Sequence, residues 1–559
     1  MNKKNVNKKI GAIGLACLLA MGSTCAMTAC KPDPSKNMSV LKIKIFNGGL
    51  GTTWINTVAN RFMETFKEVS FEEGKKGIYV SITPSKGFTN IETGMASGSE
   101  KDDIFYTSTH DLNPFLKENV AYDLTDVMTA NVYDANGNVA LDETGKAWQT
   151  NADNSSLASR INVDYYKEAF NLGTEEEPRY CSVPYEDTLS GIIVDWDLFK
   201  DRGWNDYEGL DGMPATIDDF YNLISRIQRA GFSCFTYSTG VGYYTRSIQR
   251  AIQAKVDGVD WYHDTYSDYE GEYDFNGDGQ ITDDEKFTAH DSYRLLDTAG
   301  VEAAVDFGVE FFYKDSSGKT YYDPNVTQGV SYGGAQQDFI MSKTSTNRPR
   351  IAMILEGEWW ENEARGTFNS MGNVNASNGY GKREFRMMPI PQMTENDKTT
   401  KYTIGSQSNG AVTVVNKKTV DGNALKEKLV ELWLQYQYSA DSLKIFTKNS
   451  GSVLPFDYEM NADDLKQLTP FARNVWDLHH NENVEIVYDN AMMKSDQIRL
   501  GEITFNYSAK IGTTLYDSTV FFNNLVDMAK ASKSTTVVDY IAGMHTHYDD
   551  KIKNAYPAA

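Results

Sequence analysis

Apolar and polar positions along this chain repeat with two different periods, which together predict an α/β protein. Leu41 to Phe46 alternates with the period of a strand, and Gly48 to Gly51 follows as a turn. Two more strands are predicted at Ile78 to Thr83 and Ile104 to Tyr106. Between the first strands a helix carries its apolar residues on one stripe, formed by Ile55, Val58, Ala59, Phe62 and Phe66. Strands that alternate with helices favour a mostly parallel sheet.

Two helices are predicted further along the chain. Thr216 can cap the first helix, Asp218 and Asp219 suit the positive end of its dipole, and Gly231 can end it. Leu425 to Phe446 is predicted to be one long amphipathic helix. The segment 131–156 is rich in asparagine and aspartate, which predicts an insertion or loop region.

The first 29 residues have the pattern of a signal peptide. Lysines precede an apolar stretch, Ile10 to Met21, that is too short to span a bilayer. Met27-Thr28-Ala29-Cys30 resembles a bacterial lipobox, in which the cysteine is lipidated; an ordinary secretory signal cleaved near Ala29 is the alternative. We expect a signal peptide at 1–29, a lipid on Cys30, a tether at 30–39, and an extracytoplasmic chain anchored to the bacterial cell membrane.

The net charge, the apolar runs and the cysteines lead to three further expectations. The formal net charge of −23 repels phosphate backbones, so we expect no nucleic-acid partner. After the leader the chain has no apolar run of spanning length, so only the lipid is expected to hold it to a membrane. Cys181 and Cys234 remain after the leader and Cys30, and they could form a disulfide or be small buried apolar residues.

One motif predicts a metal site. Residues 274–285 match the twelve-residue EF-hand calcium loop position by position. Gly279 permits the sharp turn, and Ile281 anchors the loop to apolar surroundings. Only one copy is complete and its flanks do not form a helix pair, so we expect a structural Ca²⁺ ion. Its expected ligands are Asp274, Asn276, Asp278, Gln280, Thr282 and Glu285.

The order of several segments resembles the maltose-binding-like, family 1 extracellular solute-binding proteins. These segments are Leu41 to Phe46, Asp103 to Tyr106, Val183 to Tyr185 with Gly191 to Phe199, Pro214 to Phe220, Ile351 to Trp359, Met387 to Pro391, and Gly451 to Pro455. The resemblance implies a two-lobe periplasmic-binding-protein-like α/β fold with a hinge and a ligand cleft. It places lobe 1 at 40–183 and 402–452, and lobe 2 at 184–401 and 453–559.

The same resemblance implies a carbohydrate ligand, delivered to the permease subunits of an ABC transporter by a protein that is a monomer and not an enzyme. No organic cofactor is expected. A sugar presents an apolar face to an aromatic ring and a belt of hydroxyls to carboxylate, amide and hydroxyl groups. Residues at strand ends, at the expected lobe crossings and in an aromatic, loop-rich region of lobe 2 are the candidate ligand contacts: Gly49, Thr53, Tyr106, Ser108, Asp111, Tyr185, Glu186, Asp187, Tyr243, Tyr244, Trp261, Glu358, Trp359, Trp360, Ser406 and Asn409.

Two other classes of protein remain open on the sequence. A receptor for peptides or other solutes, or a sensor subunit, could have the same fold. A secreted glycoside hydrolase would also be rich in aromatic and acidic residues, and Glu356 with Glu358 could be mistaken for a catalytic pair. Nothing in the sequence supplies the separation between carboxyl groups that hydrolysis across a sugar ring requires.

Overall fold

A computed structural model describes the chain over eight ranges: 34–88, 90–107, 112–312, 320–326, 330–406, 411–488, 507–516 and 536–556. The described residues form two mixed β-sheets surrounded by helices, with two small hairpins besides. The strands are β1 Ser39–Phe46, β2 Ile78–Ser85, β3 Ile104–Tyr106, β4 Ser182–Pro184, β5 Leu189–Asp195, β6 Ser233–Tyr237, β7 Gly271–Glu272, β8 Lys286–Phe287, β9 Ile351–Gly357, β10 Phe385–Met388, β11 Tyr402–Ser406, β12 Val412–Val415, β13 Val484–Val487, β14 Ala509–Ile511 and β15 Thr514–Tyr516.

The α-helices surround both sheets. They are α1 Thr53–Thr65, α2 Ile91–Ser97, α3 Asn113–Lys117, α4 Thr125–Thr129, α5 Asp164–Phe170, α6 Trp196–Arg202, α7 Ile217–Arg229, α8 Tyr243–Asp257, α9 Val259–Asp268, α10 Ala299–Phe312, α11 Tyr332–Ser342, α12 Trp360–Glu363, α13 Arg365–Val374, α14 Lys417–Val420, α15 Ala424–Gln437, α16 Ala440–Ser450, α17 Ala462–Leu465, α18 Pro470–His479 and α19 Val537–Ala555. None of these helices combines the length and the apolar character needed to cross a bilayer.

The three strands that predicted a mostly parallel sheet, β1, β2 and β3, do pair in parallel, but both sheets also contain antiparallel strands. The first sheet has the order β2-β1-β3-β12-β4, in which β12 runs antiparallel to both neighbours. The second has the order β13-β11-β5-β9-β6, in which β5 runs antiparallel to β9 and β11. The chain leaves the first sheet through β4 and returns to it through β12. Strands that arrive from the other sheet, rather than through a local helix, need not keep the parallel direction.

Each sheet has its own hydrophobic core, which gives the molecule two lobes. One apolar cluster covers the first sheet, and two others cover the second. Residues 185–188 connect β4 to β5, and the return connection lies between Ser406 and Val412. Since β11 pairs with β5 and β13, residues 402–406 lie in lobe 2, beyond the expected boundary at residue 402. Cys181 and Cys234 are buried and free, one in each lobe, so they are small apolar core residues.

The helix α7 begins as the sequence predicts. Thr216 and Asp219 form a reciprocal capping box at its start, and its buried residues are Phe220, Leu223, Ile224 and Ile227. The long helix predicted at Leu425 to Phe446 is instead two helices, α15 and α16, with an extended residue, Ser439, between them.

Candidate ligand-binding site

A cavity of about 740 Å³ lies between the two lobes. This volume falls within the range of small-molecule sites in proteins. Lobe 1 contributes the turn after β1, the start of α1, and the lobe connection. Lobe 2 contributes the first turn of α8, the first turn of α11, and the segment after β9. The lining residues are Phe46, Asn47, Gly48, Gly49, Leu50, Gly51, Thr53, Lys86, Tyr185, Glu186, Tyr244, Tyr332, Gly333, Gln336, Trp359, Asn362, Glu363, Ala364, Arg365, Thr367 and Asn449.

Six of the candidate residues from the sequence lie on this cavity. Gly49 and Thr53 belong to the strand-to-helix turn of lobe 1, and Tyr185 and Glu186 to the lobe connection; Tyr244 and Trp359 come from lobe 2. They meet because the ends of β1, β4 and β9 face each other across the cleft. Their contact with a ligand stays a prediction.

Trp359 is a partly exposed ring at the cavity wall. Its centroid lies 6.1 Å from that of Tyr244, with 37° between the ring planes. Trp360, its neighbour in sequence, is fully buried and packs edge-on against Phe385, 4.9 Å away. Of the two tryptophans proposed as a stacking platform, only Trp359 is placed to serve, because Trp360 turns into the core of lobe 2.

Carboxyl and amide groups form a second part of the wall. Gln336 donates from its amide nitrogen to Glu363 at 2.8 Å and to Glu356 at 3.2 Å. Burial raises the pKa of Glu356 to about 8, and it also raises the pKa of Glu363. On the lobe connection, burial and the nearby charge of Glu358 raise the pKa of Glu186 to about 8. Protonated carboxyl groups at neutral pH can both donate and accept hydrogen bonds, as sugar hydroxyls require.

Asp187, Glu358 and Ser406 form a buried network at the hinge and do not line the cavity. Glu358 accepts a hydrogen bond from the Leu189 backbone at 2.8 Å, and its carboxylate lies 3.3 Å from His479 Nε2. The Asp187 carboxylate lies 3.6 Å from His479 Nδ1 and is hydrogen bonded to Ser406. Burial raises the pKa of Asp187 to about 6, against the effect of His479. These three residues therefore hold the lobe connection in place, which corrects their expected role as ligand contacts.

Tyr106 and Trp261 also lie away from the cavity. Tyr106 is fully buried in lobe 1, where it donates to Gln437 and accepts from the Trp433 indole. Trp261 donates to the Glu272 carbonyl at 2.9 Å and packs on Tyr273, next to the hairpin of β7 and β8. Tyr106 was suggested by its place at a strand end and Trp261 by its aromatic, loop-rich surroundings. Tyr106 instead lies in the core of lobe 1, and Trp261 packs beside the hairpin of β7 and β8.

Four other candidates lie wholly or partly outside the described residues. Ser108, Asp111 and Asn409 lie outside the described residues, as do Cys30, the signal peptide and most of the tether. Tyr243 is the first residue of α8, beside Tyr244, and its side chain lies outside the description.

Sequence reasoning missed several polar residues of the wall, among them Asn362, Glu363, Arg365 and Gln336. The cluster Trp359 to Arg365 directly follows the end of β9, so its position at a strand end was a usable signal. Gln336 gave no such signal, because it lies inside α11 and reaches the cavity only through the packing of that helix on β9.

The loop 274–285 lies between β7 and β8 rather than between helices. Asp274 accepts hydrogen bonds from the backbone of Gly277 and Gly279, at 2.7 and 2.8 Å, and Glu285 accepts one from Thr282 at 3.0 Å. The carboxylates thus face the loop's own amides, and within the described ranges no three His, Cys, Asp or Glu side chains surround a common metal position.

Comparison with known proteins finds similar structures but no match by sequence. Neither family models nor curated proteins match the chain. A probable secreted solute-binding lipoprotein from Streptomyces coelicolor is similar in structure, with a TM-score of 0.52 and 13% identity over 91% of this chain and 98% of that one. A chitin oligosaccharide binding protein has a TM-score of 0.52 and 12% identity, over 92% and 99%.

A third structure, from work on xylan utilisation by Caldanaerobius polysaccharolyticus, has a TM-score of 0.52 and 12% identity over 91% of this chain and all of that one. At such low identity the likeness concerns the fold alone. Together with the two lobes and their intervening cavity, it shows that this chain has the two-lobe α/β fold of solute-binding proteins.

Proposed function

We propose that this chain is a lipid-anchored, extracytoplasmic solute-binding protein that captures a carbohydrate between its lobes and delivers it to an ABC importer. The observation that carries the proposal is the composition of the interlobe cavity. It joins a partly exposed tryptophan to carboxyl and amide groups within one cavity between the lobes. An apolar ring face and a set of hydrogen-bonding groups match the two kinds of surface that a pyranose presents.

Two carboxyl groups of the cavity wall favour a neutral oligosaccharide over a strongly anionic ligand. Glu186 and Glu363 lie on the wall, and their raised pKa values favour the uncharged acid. A ligand carboxylate or phosphate beside these groups would face either a second negative charge or an acid that must stay protonated. Neutral hydroxyl groups have neither cost.

The N-terminal sequence supports the anchoring part of the proposal. Cys30 carries the lipid, and the tether lifts the lobes from the membrane. Replacement of Cys30 by serine is expected to release the protein into the medium and to abolish incorporation of labelled palmitate. Retention of the label would contradict the anchor at this residue.

A ligand screen tests the carbohydrate proposal. We expect neutral oligosaccharides such as maltotriose, raffinose or chitotriose to raise the melting temperature, because a ligand that binds only the folded state stabilises it. The sugar should be recovered intact, since a binding protein does not cleave it. If no sugar raises the melting temperature and peptides do, the protein is a peptide receptor instead. Cleavage products of the sugar would identify a hydrolase.

We also propose that the loop 274–285 binds one structural calcium ion. The support is the match to the twelve-residue spacing, which puts Asp274, Asp278 and Glu285 at ligand positions of one short loop. Binding would require these carboxylates to turn from the loop amides to the ion. Gly277 and Gly279 have positive φ values, of 73° and 81°, that suit such a tight loop.

The calcium proposal has a matched control inside the same loop. Calcium should raise the melting temperature of the wild type and of Asp283→Ala, since Asp283 is exposed, pairs with Lys286, and occupies no ligand position. Asp278→Ala should lose this rise. Equal responses to calcium in the two variants, or none in the wild type, would remove the claim.

A further inference from the structure

A direct contact joins the two lobes across the cleft. The Asn362 side-chain amide of lobe 2 donates to the Gly49 carbonyl of lobe 1 at 2.6 Å. Asn362 belongs to α12, directly after β9, and Gly49 belongs to the turn after β1. The two residues share no element, and 313 positions separate them in the chain. The hydrogen bond therefore forms only when the lobes are close together.

The indole of Trp359 fills the space beside this hydrogen bond. A methyl group on Gly49 would lie 2.6 Å from Cγ and 2.8 Å from Cβ of Trp359, and one on Gly357 would lie 2.6 Å from Cε2. The ring thus lies between a glycine of each lobe, in contact with both backbones. Although Trp359 follows a strand of lobe 2, its ring also packs on the apolar cluster of lobe 1.

These contacts point to a latch. We propose that Gly49, Trp359 and Asn362 hold the lobes together through protein atoms alone, so that closure of the cleft does not depend on a ligand. Opening the cleft would expose ring surface of Trp359 and would break the hydrogen bond to Gly49. A population that is already closed lowers the conformational cost of binding. The inference concerns the ligand-free chain and holds whatever solute the cavity takes.

One substitution in each lobe tests the latch. Gly49→Ala places a methyl group against the Trp359 ring and should push the lobes apart; the φ angle of Gly49 lies outside the left-handed region, so the backbone itself accepts alanine. Asn362→Ala removes the donor with little change of shape. In both ligand-free variants small-angle scattering should give a larger radius of gyration than in the wild type. Hydrogen exchange of the turn 48–53 should be about fivefold faster or more, because loss of the contact between the lobes leaves this turn open in a larger share of the molecules.

Two substitutions of the same type serve as controls. A methyl group on Gly366 meets no atom within 4 Å, and Asn56 donates only to Thr52, in its own helix turn. Gly366→Ala and Asn56→Ala should keep the wild-type radius and exchange rates. Exchange of β1 and β9 should not change in any variant, which separates opening of the cleft from unfolding.

The proposal is overturned if Asn362→Ala matches Asn56→Ala in both measurements. If Gly49→Ala does not fold, Asn362→Ala decides the question alone. A change in exchange at the turn 48–53 without any change in radius would show a local contact that does not hold the lobes, and it would also contradict the latch.

Discussion

Trp359 and Trp360 have different surroundings although they are adjacent in the chain. Trp360 lies among the phenylalanine rings of the lobe 2 core, and Trp359 lies between two glycine backbones at the cavity. β9 ends just before them, and the change of direction sends one ring inward and the other toward the first lobe. Ring type alone could not distinguish them; the surroundings decide which ring can meet a ligand.

Glu186 provides a residue-scale prediction with a defined pH window. Its pKa of about 8 in the folded chain is above the ordinary value of 4.5, chiefly because of burial. The stability that the bound proton contributes is fully present below about pH 4.5 and is lost as the pH rises through 8. Ionisation of Glu186 in the folded chain therefore destabilises the protein. Glu186→Gln cannot ionise, so its melting temperature relative to wild type should rise between pH 5 and pH 9. Thermal melts of the ligand-free proteins measure this difference.

The control for this prediction is an exposed glutamate. Glu118→Gln, at the end of α3, should show no such trend across the same pH range. A difference between Glu186→Gln and wild type that stays constant from pH 5 to pH 9 would show that Glu186 ionises as it does in water.

Part of the cavity wall was predictable at this scale and part was not. Gly49, Thr53, Tyr185, Glu186 and Trp359 were found because local patterns put them at strand ends or lobe crossings, and Tyr244 because it lies in an aromatic stretch of the sequence. Asn362 and Gln336 depend on how distant segments pack, which no local pattern carries. Tyr106 was expected at the cavity for a similar reason. The packing of distant segments buries β3 on both faces, so the side chain of Tyr106 lies in the core of lobe 1.

Helix α19 shows how single contacts hold a whole element. It packs on β14 and on the 3₁₀ segment Ala289–Asp297, and Tyr540 donates to the Tyr507 carbonyl at 3.1 Å. His545 bridges this contact: Nε2 lies 2.9 Å from Asp297 and Nδ1 lies 2.9 Å from Asp549. Both ring nitrogens face carboxylates, which requires the doubly protonated imidazole.

Attachment of α19 should therefore depend on pH. The hydrogen bond to Asp297, together with that to Asp549, raises the pKa of His545 to about 9, from an ordinary value of 6.5. The stability that the bound proton contributes is fully present below about pH 6.5 and is lost as the pH rises through 9. His545→Gln should melt at a lower temperature than wild type at pH 6, and the gap should close by pH 9.5. A gap of equal size at both pH values would contradict the prediction for His545.

Local patterns predicted the elements better than the connections between them. The start of α7 followed from Thr216 and Asp219, which are neighbours in sequence. The break between α15 and α16 did not, because Arg160 binds the Tyr438 carbonyl at 2.8 Å and the Gly137 carbonyl accepts from the Ala440 amide at 2.8 Å. Both partners come from segments far away along the chain. A helical pattern cannot reveal that its hydrogen bonds are intercepted in this way.

At the scale of the whole molecule, the two cores and the connection between them create the cavity. Each lobe buries its own apolar clusters, so the lobes can change their spacing without exposing a core. The buried network of Asp187, Glu358 and His479 holds the connection. Burial opposes the charged form of His479, but the hydrogen bond to Glu358 and the charge of Asp187 together raise its pKa. The two-lobe fold was predicted from the order of segments, whereas the mixed sheets follow from strands that cross between lobes.

We propose that a sugar binds between the lobes against the ring of Trp359. Titration calorimetry with the neutral oligosaccharide that gives the largest thermal shift tests it most directly. Trp359→Ala should bind at least about tenfold more weakly, which corresponds to ~1.4 kcal/mol, and Trp359→Phe should lose less. Trp261→Ala, which removes a ring outside the cavity, should bind as wild type does. Equal affinity of Trp359→Ala and wild type would contradict the account.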